Sequence, residues 1–172
     1  APPTRSERMR LTGPWDRERV DEFLGAAQIP VRVGCHTPSG DPWIVSLWFR
    51  WDGAVHCATS ADADLVSFLE ADDYVSFEVS TNDPPYAGVR GRGTTSVEPD
   101  VDKRLLRRLF ERYLGGTDND LADVLLRPER EEVHVRIEPD RLHTWDFSGR
   151  MPSESTADTA VAAETTATTE PE

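Results

Sequence analysis

The chain is short of lysine, of cysteine and of long apolar runs. Lys103 is the single lysine among 19 basic residues, so 18 are arginine, and they face 32 acids for a formal net charge of −13. A chain this acidic repels nucleic-acid phosphates and anionic lipid headgroups, which argues against nucleic acid or a membrane surface as partner. The two cysteines, Cys35 and Cys57, are too few for a disulfide framework or a self-sufficient zinc site. No apolar stretch approaches the roughly 18–20 residues that cross a bilayer, and no apolar segment of the secretory kind follows the first residues. The four histidines lack HxH and HxxxH spacing. There is no P-loop, no Gly-x-Gly-x-x-Gly after a strand and no catalytic triad signature. The expectation is a cytoplasmic protein. Acid excess with almost no lysine is similar to the composition of proteins from very salty cytoplasms, where salt screens the self-repulsion.

What is present suits one folded domain. The chain has 172 residues, 37% of them hydrophobic. Residues 1–9 read as a flexible N-terminus and 10–148 as the folded unit. Residues 149–172 read as a disordered acidic tail of Ser, Thr, Ala and Glu. That tail holds Glu154, Asp158, Glu164, Glu170 and Glu172 against Arg150, so it carries −4 of the −13. It has no aromatic residue with which to offset its ordering entropy.

Periodicity predicts a helix from near Pro14, with Trp15, Val20, Phe23 and Leu24 on one face and Asp16 or Thr12 as its cap. Val31–Thr37, the nearly continuous apolar run Trp43–Trp51 and Ala54–Thr59 read as a three-stranded antiparallel meander, with a hairpin at Asp52-Gly53. The middle run reads as buried on both faces, or buried on one and covered by a partner on the other. A short helix follows over 62–71, then a strand over 74–80 and a Gly-rich strand over 86–97. An amphipathic helix is predicted over 101–114, stopped by Gly115-Gly116, and a short helix over 119–126. Two last strands, 132–137 and 141–147, are separated at Pro139-Asp140. The fold class expected is mainly β with small helices (α+β), an antiparallel barrel with helices at its ends.

Particular segments carry a further signal. Gly40–Phe49 with Asp52-Gly53, then Ala58-Thr59-Ser60, Asp73–Val79 and Val89-Arg90-Gly91-Arg92-Gly93 occur in one order. In this the chain resembles the pyridoxamine 5′-phosphate oxidase-like split β-barrel family of flavin- and deazaflavin-binding proteins, over roughly residues 15–147. The resemblance implies a Greek-key-like split barrel and a homodimer with cofactor sites at the subunit interface. It implies an FMN-dependent, or coenzyme F420-dependent, oxidoreductase acting on an unknown small molecule. Carried onto this chain, the ring contacts are Val45, Ser46, Leu47 and Trp48. The ribityl and phosphate contacts are Cys57, Ala58, Thr59 and Ser60, and Arg90 and Arg92 add charge across the interface. The family also has haem-binding members, for which His56 would be the axial ligand. One departure stands out: the short helix that usually carries a basic phosphate ligand here has Leu65 at that position, beside Asp62 and Asp64. An anion there is disfavoured unless Arg32, Arg50 or Arg90 outweighs those acids. The alternative is therefore a cofactor-free or haem-binding split-barrel module without redox catalysis.

Each of these residues also has a plain structural reading. Trp48 and Trp51 either stack on a ring ligand or pack in the core. Thr59 and Ser60 either bind phosphate or cap the following helix. Arg90 and Arg92, alternating with glycines on one face, suit an anion lying close to the backbone, or else pair with surface acids. Cys57 reads as a small buried hydrophobe, and His134 and His143 as structural. Tyr86 is a candidate for a substrate mouth.

Overall fold

The computed structural model describes residues 9–150. The expectations placed on 1–8 and 151–172 lie outside the described residues.

Eight strands form one sheet. In chain order these are β1 (Arg10–Thr12), β2 (Val31–His36), β3 (Pro42–Leu47), β4 (Arg50–Trp51), β5 (Val55–Ser60), β6 (Tyr74–Ser80), β7 (Ala87–Pro99) and β8 (Glu132–Asp146). The helices are α1 (Arg17–Ala26), α2 (Asp64–Ala71), α3 (Arg104–Leu114) and α4 (Asp120–Leu125). Asp16 caps α1, its carboxylate accepting the Arg19 N–H at 2.9 Å. Asn119 does the same for α4 through the Ala122 N–H. Among the described residues no helix is long and apolar enough to cross a membrane.

The sheet runs β3-β2-β6-β7-β8-β5-β4 and is antiparallel throughout, except that β1 joins β8 in parallel. The expected 31–59 meander is corrected here. Its middle run breaks at Trp48-Phe49, so β3 pairs with β2 while β4 pairs with β5. β3 and β4 thus stand at opposite ends of the strand order yet are two residues apart in the chain, which obliges the sheet to curl on itself. Only two residues bridge the ends, and both are anchored. Phe49 is fully buried, and its N–H donates to the Tyr113 hydroxyl, which in turn donates to the Ile29 carbonyl. Trp48 stacks on the Tyr113 ring at 5.1 Å with the planes 6° apart. The run looked doubly buried because each half has its own buried face. In β3, Trp43, Val45 and Leu47 turn inward, while Ile44 is 69% exposed.

The last two expected strands are one. β8 runs through Pro139-Asp140, where Gly93 pairs with Pro139 and Arg92 with Arg141, leaving Asp140 as a bulge. A bulge tolerates a proline that a regular ladder would not. Gly93 makes room for it: a Cβ there would lie 2.2 Å from the Glu138 carbonyl oxygen.

The main core fills the curl, with Phe49, Leu24, Leu142 and Ile137 among its buried residues. A second cluster lies outside the sheet, where Leu106, Phe110 and Ala122 of α3 and α4 cover Trp48 and Ala58. α3 is fastened to α1 by Arg112, whose guanidinium donates to the Leu24, Gly25 and Ala27 carbonyls. Those are carbonyls that the end of α1 would otherwise leave unpaired.

Candidate ligand-binding site

The strand register places the outward side chains of β1, β2, β3, β6, β7 and β8 in two adjacent rows. One row reads Ser46, Arg32, Glu78, Arg90, His143, Thr12. The next reads Ile44, Gly34, Ser76, Arg92, Arg141, Arg10. Five arginines therefore share the two rows with one carboxylate, Glu78, on a chain whose net charge is −13. Asp140 of the β8 bulge, which accepts from the Tyr74 hydroxyl, stands at their edge near Arg92 and Arg141. Among the described residues none of the five has an acid within ion-pair distance. Glu78 instead accepts from the Ser80 hydroxyl at 2.7 Å. Arg32 donates one Nη to Asn82 at 3.3 Å, while its buried Nη1 has no partner. Arg90 lies over the Trp145 ring at 5.7 Å. The face forms an open cleft of about 570 Å³, with Gly34, Gly91 and Phe77 in its floor. Like charges this close raise one another's energy, so the face favours an anion as occupant.

The expected site residues fall into separate groups. Ser46 stands in the arginine row, beside Arg32 and in line with Arg90, and Arg92 lies in the adjoining row. Val45 and Leu47 turn toward the main core and are half-buried against it. β3 pairs with β2 alone, and alternate N–H and C=O groups of β3 face its open edge. Trp48 and Ala58 meet in the second cluster; Ala58 pairs with His134, seven residues along β8 from Arg141. Cys57 is fully buried on the inner face, where burial raises its thiol well above the ordinary value and leaves it inert. Thr59 alternates to the same side as Cys57, and Ser60 to the side of Ala58. Ser60 does not cap α2; its hydroxyl accepts the Asp62 N–H at 3.3 Å, and α2 has no side-chain cap.

Of the three arginines considered as replacements, Arg32 and Arg90 reach the cleft. Arg50 does not, and pairs with Asp52 at 3.1 Å. The corner after β5 is a different environment. Asp62 and Asp64 open α2, and the neighbouring surface sets Lys103, Arg107 and Arg130 against Asp100, Asp102, Glu131 and Glu132. Asp100 spends its carboxylate on the Leu105 and Leu106 N–H groups. A phosphate finds no surplus of cations there.

Sequence spacing gave no sign of one cluster. His56 Nε2 lies 2.7 Å from Asp52 Oδ1, and His56 Nδ1 lies 2.8 Å from His134 Nε2. Burial would raise the Asp52 carboxyl, but the His56 hydrogen bond and Arg50 outweigh it and hold it below its ordinary value. Burial holds both imidazoles below theirs, with the two rings opposing each other's protonation on His134. With both His56 nitrogens engaged, the expectation of His56 as a haem ligand does not fit. His143 is structural in part, its Nδ1 meeting the Thr12 hydroxyl at 2.9 Å.

No family model matches the chain. Solved structures share its fold. A conserved hypothetical protein of Mycobacterium tuberculosis, Rv2991, is 23% identical with a TM-score of 0.64, over 77% of this chain and 86% of that one. An F420 reductase is 23% identical with a TM-score of 0.58, over 70% and 94%. A FAD-binding protein of Mesorhizobium loti is 16% identical with a TM-score of 0.53, over 74% and 92%. The curled antiparallel sheet with few helices is the architecture these proteins have in common with this chain.

Proposed function

We propose that the protein is a flavin- or deazaflavin-dependent oxidoreductase acting on a small molecule, with FMN or coenzyme F420 as its cofactor. The arginine face carries this reading. A flavin-type cofactor brings a flat ring and at least one anionic group, and Arg32, Arg90, Arg92 and Arg141 supply the charge for the latter. The unpartnered Arg32 Nη1 is a donor waiting for an acceptor. The fold shared with an F420 reductase and a FAD-binding protein agrees with this chemistry.

The seat is composite. The open edge of β3 and the Trp48–Ala58 strip belong to one part of the protomer, and Arg90 and Arg92 to another. A homodimer that lays the arginine face of one copy against β3, Trp48, Thr59 and Ser60 of the other completes it. Bound there, the cofactor supplies hydride chemistry. The chain's own residues orient it through β3 amides, hold its anion and exclude water. No general base is required of the arginines, which stay charged throughout.

The test is direct. Full-length protein prepared in molar salt is titrated with FMN and, separately, with F420, and binding is followed by absorbance and fluorescence. Saturable binding of either, with a mass corresponding to two chains, supports the reading. A colourless monomer that ignores both overturns it. A second reading, a cofactor-free binding module, is favoured by Asp62 and Asp64 at the corner where the family's phosphate sits, and that same null result would support it.

A further inference from the structure

We propose that the acidic segment 151–172 docks on the arginine face of its own chain and competes there with anionic ligands. Docking of this kind goes beyond the function proposed above, because it does not depend on which cofactor the face takes.

Charge favours the pairing. Residues 151–172 hold Glu154, Asp158, Glu164, Glu170 and Glu172 and no basic residue, a net −5. The face sets Arg10, Arg32, Arg90, Arg92 and Arg141 against Glu78 and, at its edge, Asp140. Residues 9–150 as a whole carry −9, which is the −13 of the chain less the −5 of 151–172 and the +1 of Arg5, Glu7 and Arg8. An acidic segment is therefore repelled by most of the surface and attracted by the face. Repulsion from more distant acids is screened beyond about 8 Å at physiological ionic strength, whereas direct contact with a guanidinium is not.

The exit of the chain favours it too. Trp145 follows His143 along β8, and Arg90 lies over its ring at 5.7 Å. Beyond it the Phe147 N–H donates to the Tyr86 carbonyl at 2.9 Å, and the Phe147 carbonyl accepts the Arg150 N–H at 2.8 Å. That last bond closes a turn, which sends the chain back toward β8 instead of onward past the sheet. At about 3.3 Å per strand residue, the Arg90–His143 row lies about 13 Å from Phe147 and the Arg92–Arg141 row about 20 Å. Glu154 and Asp158 are four and eight residues past Arg150, up to about 14 and 28 Å of extended chain, so both rows are in range. Arg32 lies two strands from Arg90, about 10 Å farther, and Glu164 covers that distance. Tethered acids act at an effective concentration on the order of millimolar, so ion pairs that are weak singly suffice together. The buried Arg32 Nη1, without a partner among the described residues, gains an acceptor. An anionic ligand then has to displace the segment, and its apparent affinity falls by the fraction docked.

The full chain is compared with one whose segment is neutralised by Glu154→Gln, Asp158→Asn, Glu164→Gln, Glu170→Gln and Glu172→Gln. A control loses five exposed acids elsewhere, through Glu18→Gln, Glu70→Gln, Glu111→Gln, Asp118→Asn and Glu129→Gln. Arginine Nε–H signals in nitrogen-15 NMR read the face directly, and inorganic pyrophosphate is the probe. Without a ligand, neutralising the segment is expected to move the signals of Arg32, Arg90, Arg92 and Arg141 and to leave those of Arg107 and Arg130 in place. Pyrophosphate should then bind about tenfold more tightly at about 0.1 M salt, with the gain gone at about 1 M. The control should gain less than about twofold. Unmoved signals, or an equal gain in the control, overturn the docking. Wild-type signals that shift on dilution also overturn it, by assigning the occupant to a second copy. FMN and F420 separate this outcome from the function proposed above. If neither binds any of the chains while the signals still move, that function falls and the docking stands. If either binds all three chains equally with the signals unmoved, the docking falls alone.

Discussion

The arginine face and the corner after β5 are both places where a phosphate-bearing ligand would be sought, and they have opposite characters. On the face, five arginines have no acid within ion-pair distance among the described residues. At the corner, Asp62 and Asp64 open α2, and Lys103, Arg107 and Arg130 are outnumbered by Asp100, Asp102, Glu131 and Glu132. The face has kept its charges unneutralised at a cost in self-repulsion, whereas the corner has none to offer. On the function proposed above, the anion lies over the middle of strands rather than at a loop and helix terminus, and β-sheet register fixes the spacing of the guanidinium groups.

The largest effect is expected from the closure that keeps both regions on one curled sheet. Phe49→Ala removes a fully buried ring from the two-residue bridge and should cost about 3–5 kcal/mol of stability, read from urea denaturation. A loss below about 1 kcal/mol would mean that closure does not depend on that ring. Next is the face itself. Replacing Arg90 and Arg92 together with alanine should weaken FMN or F420 binding about 100-fold, given about 1.5–3 kcal/mol for each hydrogen bond to a charged group. Unchanged affinity would remove both from the site.

A smaller effect concerns pH. His56 and His134 are held below the ordinary value of 6.5, so the unfolded chain takes up protons first as pH falls through that value. Stability should be flat above about pH 7 and decline below 6.5 until the folded values are reached. Asp52, lowered from 3.8, adds a further loss only at more acidic pH. Melting temperatures at successive pH values check this, and His56→Asn with His134→Asn should flatten the first decline. The smallest effect belongs to the corner. Asp62→Asn with Asp64→Asn should change cofactor affinity by less than about threefold, since exposed charges away from a ligand are worth little. A tenfold gain would return the phosphate to that corner and erase the contrast between the two regions.

Much of the architecture was legible in the sequence because it is local. The stripe of Leu105, Leu106, Leu109 and Phe110 marked α3, and Asp16 marked the start of α1. The β2–β3 and β4–β5 hairpins were visible from their glycine turns, with Gly40 and Gly53 at positive φ. The break at Trp48-Phe49 was not, since an apolar run reads the same whether it stays beside one neighbour or crosses to another. Pro139 looked like a stop because a bulge depends on the partner strand, through Gly93. Half of the cleft had a local cue in the Arg90-Gly91-Arg92 alternation. Arg32 and Arg141 join it only through pairing across β2, β6, β7 and β8. His56 and His134 are 78 residues apart, and no spacing rule spans that distance.

The unpaired residue in β8 has one more implication. Counting forward from Val133 without it, Arg92 would pair with Asp140, Gly91 with Arg141 and Arg90 with Leu142 in place of the pairs observed. Every side chain from Arg141 onward would change sides: Leu142 would emerge into water, and Arg141 would be driven among Phe77 and Val89. A single inserted residue thus works as a parity switch in the strand. It lets one continuous ladder serve the helix-covered surface at one end and line up the guanidinium rows at the other.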